Sequence, residues 1–283
     1  MLDQLERRFM LSTVSIGQGK LRIEGTANND AIRVARFSKT QGQVTEGATV
    51  LFTFQLREII GISFNGRAGN DSIELGRINI KSFLVGGSGD DSLSASRGDA
   101  RDTIFGGDGS DYLFGGGAND SLDGGLLDDT MLGDSGDDTI IVLSSLGNDD
   151  FISGGAGTDI VDGSAYPTKV TWEVGNGNPN GLNVNDTIAG DVENIIGTAF
   201  NDTIKVLSGR SVRVDGGAGN DTITTGSGND TVIGGAGRDS ISTAGGVDTF
   251  FTNDGEIDTL TGGTGVDSAT ADADDVLNSV SSS

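Results

Sequence analysis

The sequence predicts an all-β protein, a parallel β-roll or β-solenoid with 18 residues per coil and an N-terminal β capping region. Three observations predict it. A nine-residue unit, Gly-Gly-x-Gly-x-Asp-x-apolar-x, recurs at 106–114, 154–162, 216–224 and 234–242, with looser copies between them. Its apolar position carries Leu113, Leu122, Met131, Ile140, Ile152, Val161, Ile223, Val232 and Ile241, one inward side chain per unit. Aromatic residues are only 5% of the 283, too few for a broad globular core. Glycine reaches 48 residues, against a usual share of ~7%. Glycine excess without period reads as disorder, but here the period reverses that reading.

Residues 1–15 form a targeting-like segment, too interrupted by charge for an ordinary signal peptide. Residues 16–64 lack the full repeat and read as capping strands, since terminal units of a repeat array depart from its consensus. Lys20-Leu21-Arg22-Ile23 alternates, and Phe52, Phe54 and Leu56 share one strand face. A degenerate copy covers 25–32. Residues 65–162 are the first nonapeptide block. Its sixth positions fall at Asp71, Asp91, Asp102, Asp111, Asp120, Asp129 and Asp138, then at Asp150 and Asp159 after three extra residues. Residues 163–196 break the register, hold both prolines and the single tryptophan, and read as a hairpin or joint. The second block, 197–270, carries Asp202, Asp221, Asp230, Asp239 and Asp248, slips by one to Asp258, and ends with Asp267. An acidic, Ser-rich tail, 271–283, follows.

Each position of the nonapeptide has a physical role. Glycines at positions 1, 2 and 4 permit positive φ and close backbone approach. Candidate main-chain ligands are therefore the turn carbonyls near Gly87, Gly89, Gly107, Gly109, Gly155, Gly157, Gly217, Gly219, Gly235 and Gly237. The aspartate at position 6 adds a carboxylate. The candidate metal ligands are Asp91, Asp102, Asp111, Asp120, Asp129, Asp138, Asp159, Asp202, Asp221, Asp230, Asp239, Asp248 and Asp267. An all-oxygen set suits a hard cation such as Ca2+. Two repeats make one coil, and neighbouring strands lie ~4.8 Å apart. Asp102, Asp120, Asp138 and Asp159 should then line one edge, and Asp111, Asp129 and Asp150 the other. Such a row repels itself unless cations sit along it. Ala118, Leu127 and Ser211 mark departures from the turn pattern, as does 97–105, which lacks its first glycine. Arg101 and Arg238 at position 5 set positive charge beside their carboxylates.

The repeats resemble the glycine-rich calcium-binding nonapeptides of the RTX (hemolysin-type) family, over 65–162 and 190–270. The resemblance implies a parallel β-roll with several Ca2+ ions between turns, and an exported bacterial-type protein that is extracellular or on the cell surface. Leu5-Glu6-Arg7-Arg8-Phe9-Met10-Leu11-Ser12 is similar to a short motif near the start of exported or surface proteins. The segment 191–198 is similar to a linker common in such proteins. The tail matches a type I export signal poorly, which leaves the export route open. Extracellular calcium modules bind with Kd of ~0.1–1 mM. One site at tenfold excess contributes about 1.4 kcal/mol, so folding and calcium binding become one event.

Composition excludes much else. The net charge of −24 opposes nucleic acid and anionic membranes as partners and favours cations. No cysteine is present, so there is no disulfide and no thiolate metal site; no histidine is present, which removes histidine triads and zinc helices. No transmembrane helix is expected. A structural or adhesive calcium protein without catalysis is the reading that absorbs most of the sequence. A polysaccharide-acting enzyme on a β-solenoid and a carbohydrate-binding adhesin are the rivals. The adhesin would bind a cell-surface glycan or extracellular matrix, with Trp172, Tyr166 and the Asn-rich turn at 176–183 as ligand contacts.

Overall fold

A computed structural model of the protein describes residues 13–95, 98, 100–143, 149–175 and 186–282. The motif at Leu5–Ser12, Arg97 and the Asn-rich turn lie outside the described residues. The chain divides into two compact units, Met1–Ile140 with Gly155–Gly157, and Ile141–Gly154 with Thr158–Ser283. Among the described residues no helix is long and apolar enough to cross a membrane.

The first unit contains β1 (Thr13–Gly17), β2 (Lys20–Glu24), β3 (Ala31–Arg36), β4 (Gln41–Glu46), β5 (Thr49–Gln55), β6 (Gly61–Ala68), β7 (Ser72–Leu75), β8 (Ser82–Ser88), β9 (Ser92–Ser94), β10 (Thr103–Asp108), β11 (Tyr112–Gly117), β12 (Ser121–Leu126) and β13 (Thr130–Ser135). Its strands alternate between two sheets, in the orders β1-β2-β6-β8-β10-β12 and β5-β4-β3-β7-β9-β11-β13. From β6 onward every pairing is parallel. The exceptions are the antiparallel partners at the start, β1 with β2 and the β3-β4-β5 meander. Residues 16–64 therefore close the two sheet edges with hairpins, which need no crossover.

One inward side chain per strand stacks coil on coil. Ile23, Phe64, Leu84, Ile104 and Leu122 are in register in one sheet. Ile32, Ile73, Leu93, Leu113 and Met131 are in register in the other. All ten are fully buried. Each such side chain contributes about 1.5–3 kcal/mol by leaving water. Coil length is not uniformly 18. It is 20 residues between Asp71, Asp91 and Asp111, and 18 from Asp102 to Asp120 to Asp138. Two extra residues per coil are accommodated outside the turns, because the turn and inward residue keep their register.

β14 (Thr139–Ile141) and β15 (Phe151–Ala156) straddle the division between units. The second unit continues with β16 (Ile160–Asp162), β17 (Thr171–Val174), β18 (Thr187–Ile188), β19 (Asn194–Ile196), β20 (Thr203–Val206), β21 (Arg213–Asp215), β22 (Thr222–Thr224), β23 (Thr231–Ile233), β24 (Ser240–Ser242), β25 (Thr249–Thr252), β26 (Thr259–Thr261), β27 (Asp267–Ala271), β28 (Val276–Asn278) and β29 (Val280–Ser282). Its sheets run β16-β19-β21-β23-β25-β27-β29 and β15-β18-β17-β20-β22-β24-β26-β28, all parallel. Ile195, Val214, Val232, Phe250 and Ala269 stack in the first of these. The large Phe250 is followed by the small Ala269, which conserves core volume.

The segment 163–196 is not a hairpin. β17 and β18 pair in parallel, so these two strands do not form a hairpin with one another. β18 also comes out of sequence order, lying between β15 and β17. The described residues of the segment supply β17, β18 and β19 to the sheets.

Candidate metal sites

The sixth-position aspartates lie at the entry to each strand and form ladders along the coil edges. Their main-chain N–H groups donate forward, to Oδ1 of the corresponding aspartate one coil later. In the first unit Asp30 donates to Asp71 at 2.8 Å, Asp71 to Asp91 at 2.7 Å, Asp91 to Asp111 at 2.7 Å and Asp111 to Asp129 at 2.8 Å. On the other edge Ser82 donates to Asp102, Asp102 to Asp120 and Asp120 to Asp138, at 2.6, 2.7 and 2.7 Å. In the second unit one ladder runs Val170, Asp202, Asp221, Asp239, Asp258, Asp275, and the other Val212, Asp230, Asp248, Asp267. The carbonyl of each aspartate accepts the next N–H of the same neighbour, as in Ser240 to Asp221 at 2.8 Å. One carboxylate oxygen is thus part of the backbone ladder.

The second oxygen is different. Oδ2 of Asp71, Asp91, Asp111, Asp120, Asp221, Asp239, Asp248 and Asp258 is buried with no hydrogen-bond partner among the described residues. A buried carboxylate oxygen left unpaired is costly. It is aimed into the turn: a Cβ at Gly86 would strike Asp91 Oδ2 and the carbonyl of Gly106, and one at Gly106 would strike Asp111 Oδ2 and the carbonyl of Gly124. Gly216 stands in the same relation to Asp221 Oδ2 and the Gly234 carbonyl. Carbonyl oxygens at positions 2 and 4 face the next coil. A Cβ at Gly107 would meet the Gly87 carbonyl, at Gly109 that of Gly89, at Gly235 that of Gly217 and at Gly237 that of Gly219. Gly155 and Gly157 sit likewise on the carbonyls of Asp134 and Gly136. Among the described residues no three carboxylates converge on one point. Any ion here must take most of its ligands from main-chain carbonyls, which Ca2+ accepts.

Burial drives the carboxyl pKa values up from the ordinary 3.8. Asp120 rises to about 8, chiefly by desolvation and further by the charges of Asp102 and Asp138, against the lowering effect of the Asp102 N–H. Asp221 rises to about 7, and Asp71, Asp91, Asp111 and Asp258 to about 6, again chiefly by desolvation. Without a cation these edges hold their charge poorly.

The departing turns keep the backbone path. Ala118 and Leu127 hold φ of 79° and 75°, the left-handed region glycine would occupy. Arg238 pairs with Glu256 at 3.8 Å. Asp150 donates to Asp186, and Asp159 to Glu193, which also pairs with Arg210 at 3.1 Å.

Trp172 and Tyr166 are not surface contacts. They are 2% and 6% exposed. The Trp172 indole N–H donates to Asp186 Oδ2 at 2.9 Å, and Gly163 leaves room for its ring. Burial pushes the Tyr166 hydroxyl up to about 12, with the nearby Asp186 and Asp150 charges adding to it. Asp202 also departs from expectation, because its Oδ2 accepts the Thr198 N–H at 2.6 Å. A second ladder at position 5 had no place in the sequence reading. Asn70, Asp90, Asn119, Asn201, Asn220 and Asn229 each accept, through a side-chain oxygen, the position-5 N–H of the next coil. The recurrence of Asn-Asp at positions 5 and 6 was the signal for it.

An all-β stack of parallel coils with carboxylate and carbonyl oxygens gathered in glycine turns defines a calcium-type β-roll. The family profile for the RTX calcium-binding nonapeptide repeat (4 copies) matches residues 83–99, 96–131, 123–141, 142–165 and 215–250. The chain carries RTX calcium-binding nonapeptide repeats. No curated protein matches it.

Proposed function

We propose that this is an exported structural or adhesive protein, without catalysis, whose folding is driven by Ca2+ ions held in the Gly-Gly-x-Gly-x-Asp turns. The observation that carries the reading is the row of buried Oδ2 atoms of Asp91, Asp111, Asp120 and Asp221, which meet no donor among the described residues and lie in turns that also gather carbonyl oxygens. When bound, Ca2+ supplies the positive charge that such oxygens need. The residues that would hold it are Asp91, Asp111, Asp120, Asp221, Asp239 and Asp248, with carbonyls of the adjoining glycines. The ladder N–H groups fix each carboxylate, and the stacked glycines bring coils close enough to share ligands. The RTX repeats support export to a calcium-rich exterior.

Circular dichroism of the full chain in 5 mM Ca2+, in 5 mM Mg2+ and in chelator tests the reading. A β spectrum in Ca2+ alone is expected. The same β spectrum in chelator would overturn it.

A further inference from the structure

We infer that four ladder carboxylates at one coil edge, Asp30, Asp186, Asp202 and Asp275, are closed by the protein's own donors and hold no cation. The inference rests on the calcium reading above and divides the turns that carry ions from those that do not.

The ladder that begins at Asp30 shows the device. Asp30 Oδ2 accepts the Thr26 N–H at 2.6 Å and the Thr26 hydroxyl at 3.2 Å. The second unit repeats it at Asp202, the first carboxylate of its ladder: Oδ2 takes the Thr198 N–H at 2.6 Å and Oδ1 the Thr198 hydroxyl at 2.9 Å. Both turns read Gly-Thr-x-x-Asn-Asp, with threonine at position 2. That ladder ends at Asp275, whose Oδ2 takes the Asp272 N–H at 2.8 Å and the Thr252 hydroxyl at 3.2 Å. Asp186, which accepts the Asp150 N–H, has its Oδ2 taken by the Trp172 indole N–H at 2.9 Å, in the same role.

Five interior turns lack such donors among the described residues. Asp91, Asp111, Asp120, Asp221 and Asp239 have glycine at position 2, namely Gly87, Gly107, Gly116, Gly217 and Gly235, all at φ between 98° and 124°. Their Oδ2 atoms find no donor among the described residues. Thr26 and Thr198 do not adopt positive φ, and their N–H groups point at the carboxylate. An N–H aimed at the oxygen occupies the place where a cation would bind and repels it.

The test counts Ca2+ per chain by metal analysis after equilibrium dialysis in 5 mM Ca2+, and its affinity by calorimetry. Asp202→Asn and Asp30→Asn should bind as many ions as the unaltered chain, with unchanged affinity. Asp221→Asn should bind fewer. Thr198→Ser, which keeps both the N–H and the hydroxyl, should match the unaltered chain. It guards against a folding failure of Asp202→Asn. A loss of bound ions in Asp202→Asn or Asp30→Asn, with the β spectrum intact, would overturn the inference. An unaltered chain that binds no Ca2+ at all would instead overturn the calcium reading.

Discussion

Asp221 donates its main-chain N–H to Oδ1 of Asp239, 2.8 Å away in the next coil, while its own Oδ2 meets no donor among the described residues. The two oxygens of one side chain thus have separable roles. Asp221→Asn keeps an Oδ1 acceptor for the Asp202 N–H and removes the charge. Half-saturating Ca2+ should rise, and stability at tenfold calcium excess should fall by about 1.4 kcal/mol, the contribution of one site. Asp221→Ala removes the ladder acceptor as well and should cost about 1–3 kcal/mol more. Urea titrations of both variants in Ca2+ check this; equal losses would show that the ladder contributes nothing.

The raised carboxyl pKa values set a pH dependence. An acid whose folded pKa exceeds its unfolded value binds protons more tightly when folded. The associated stability is present below about pH 4 and is lost as pH rises through the folded values, about 6 for Asp91 and Asp111, 7 for Asp221 and 8 for Asp120. In chelator the chain should therefore gain β structure between pH 8 and pH 5. Calcium needs the ionised form, so its half-saturating concentration should rise over the same interval. Circular dichroism against pH at fixed free Ca2+ checks both, and a calcium affinity independent of pH would contradict the ligand assignment.

Glycine positions should differ in cost. At Gly109, φ is 147° and an added Cβ would collide with the Gly89 carbonyl, so Gly109→Ala should cost about 1–3 kcal/mol and loosen the neighbouring coil. Gly255 has φ of 93° but open space around it, so Gly255→Ala should cost only about 1 kcal/mol of backbone strain. Urea midpoints in Ca2+ rank the two; the reverse order would discount coil stacking as the reason for glycine.

Two substitutions should stabilise. Ala118 and Leu127 occupy left-handed backbone that glycine enters freely. Ala118→Gly and Leu127→Gly should each raise stability by about 1 kcal/mol in Ca2+. A lower thermal midpoint for both would mean that their side chains contribute more than the strain removes.

Trp172→Phe deletes the donor to Asp186 Oδ2 inside the second unit. A buried carboxylate oxygen left alone costs about 1–3 kcal/mol, so the urea midpoint should drop by a corresponding amount. Trp172→Phe combined with Asp186→Asn should recover part of the loss, since the charge is then gone. No recovery would place the role of Trp172 in packing alone.

The repeat made the parallel stack, the inward residues and the carboxylate edges legible in the sequence, because glycine, aspartate and an apolar residue at constant offsets leave one arrangement. The segment 163–196 was not legible. β18 is two residues long and pairs out of order, a long-range choice that no local pattern encodes. For Trp172 the sequence left two readings, packing on the solenoid and a ligand contact; its burial, its bond to Asp186 and the ring space beside Gly163 accord with packing. The closed turns at Asp30 and Asp202 were written as threonine at position 2, a difference that becomes meaningful only once the direction of the Thr198 N–H is seen.

The two ladders point in opposite directions. At position 6 the N–H of Asp221 reaches forward to Asp239, whereas at position 5 the N–H of Arg238 reaches back to Asn220. A coil laid down in chain order therefore finds its position-5 acceptor already standing, while its position-6 amide waits for a coil still to come. Each coil is therefore locked to both neighbours through different amides, its position-5 N–H by the coil before and its position-6 N–H by the coil after.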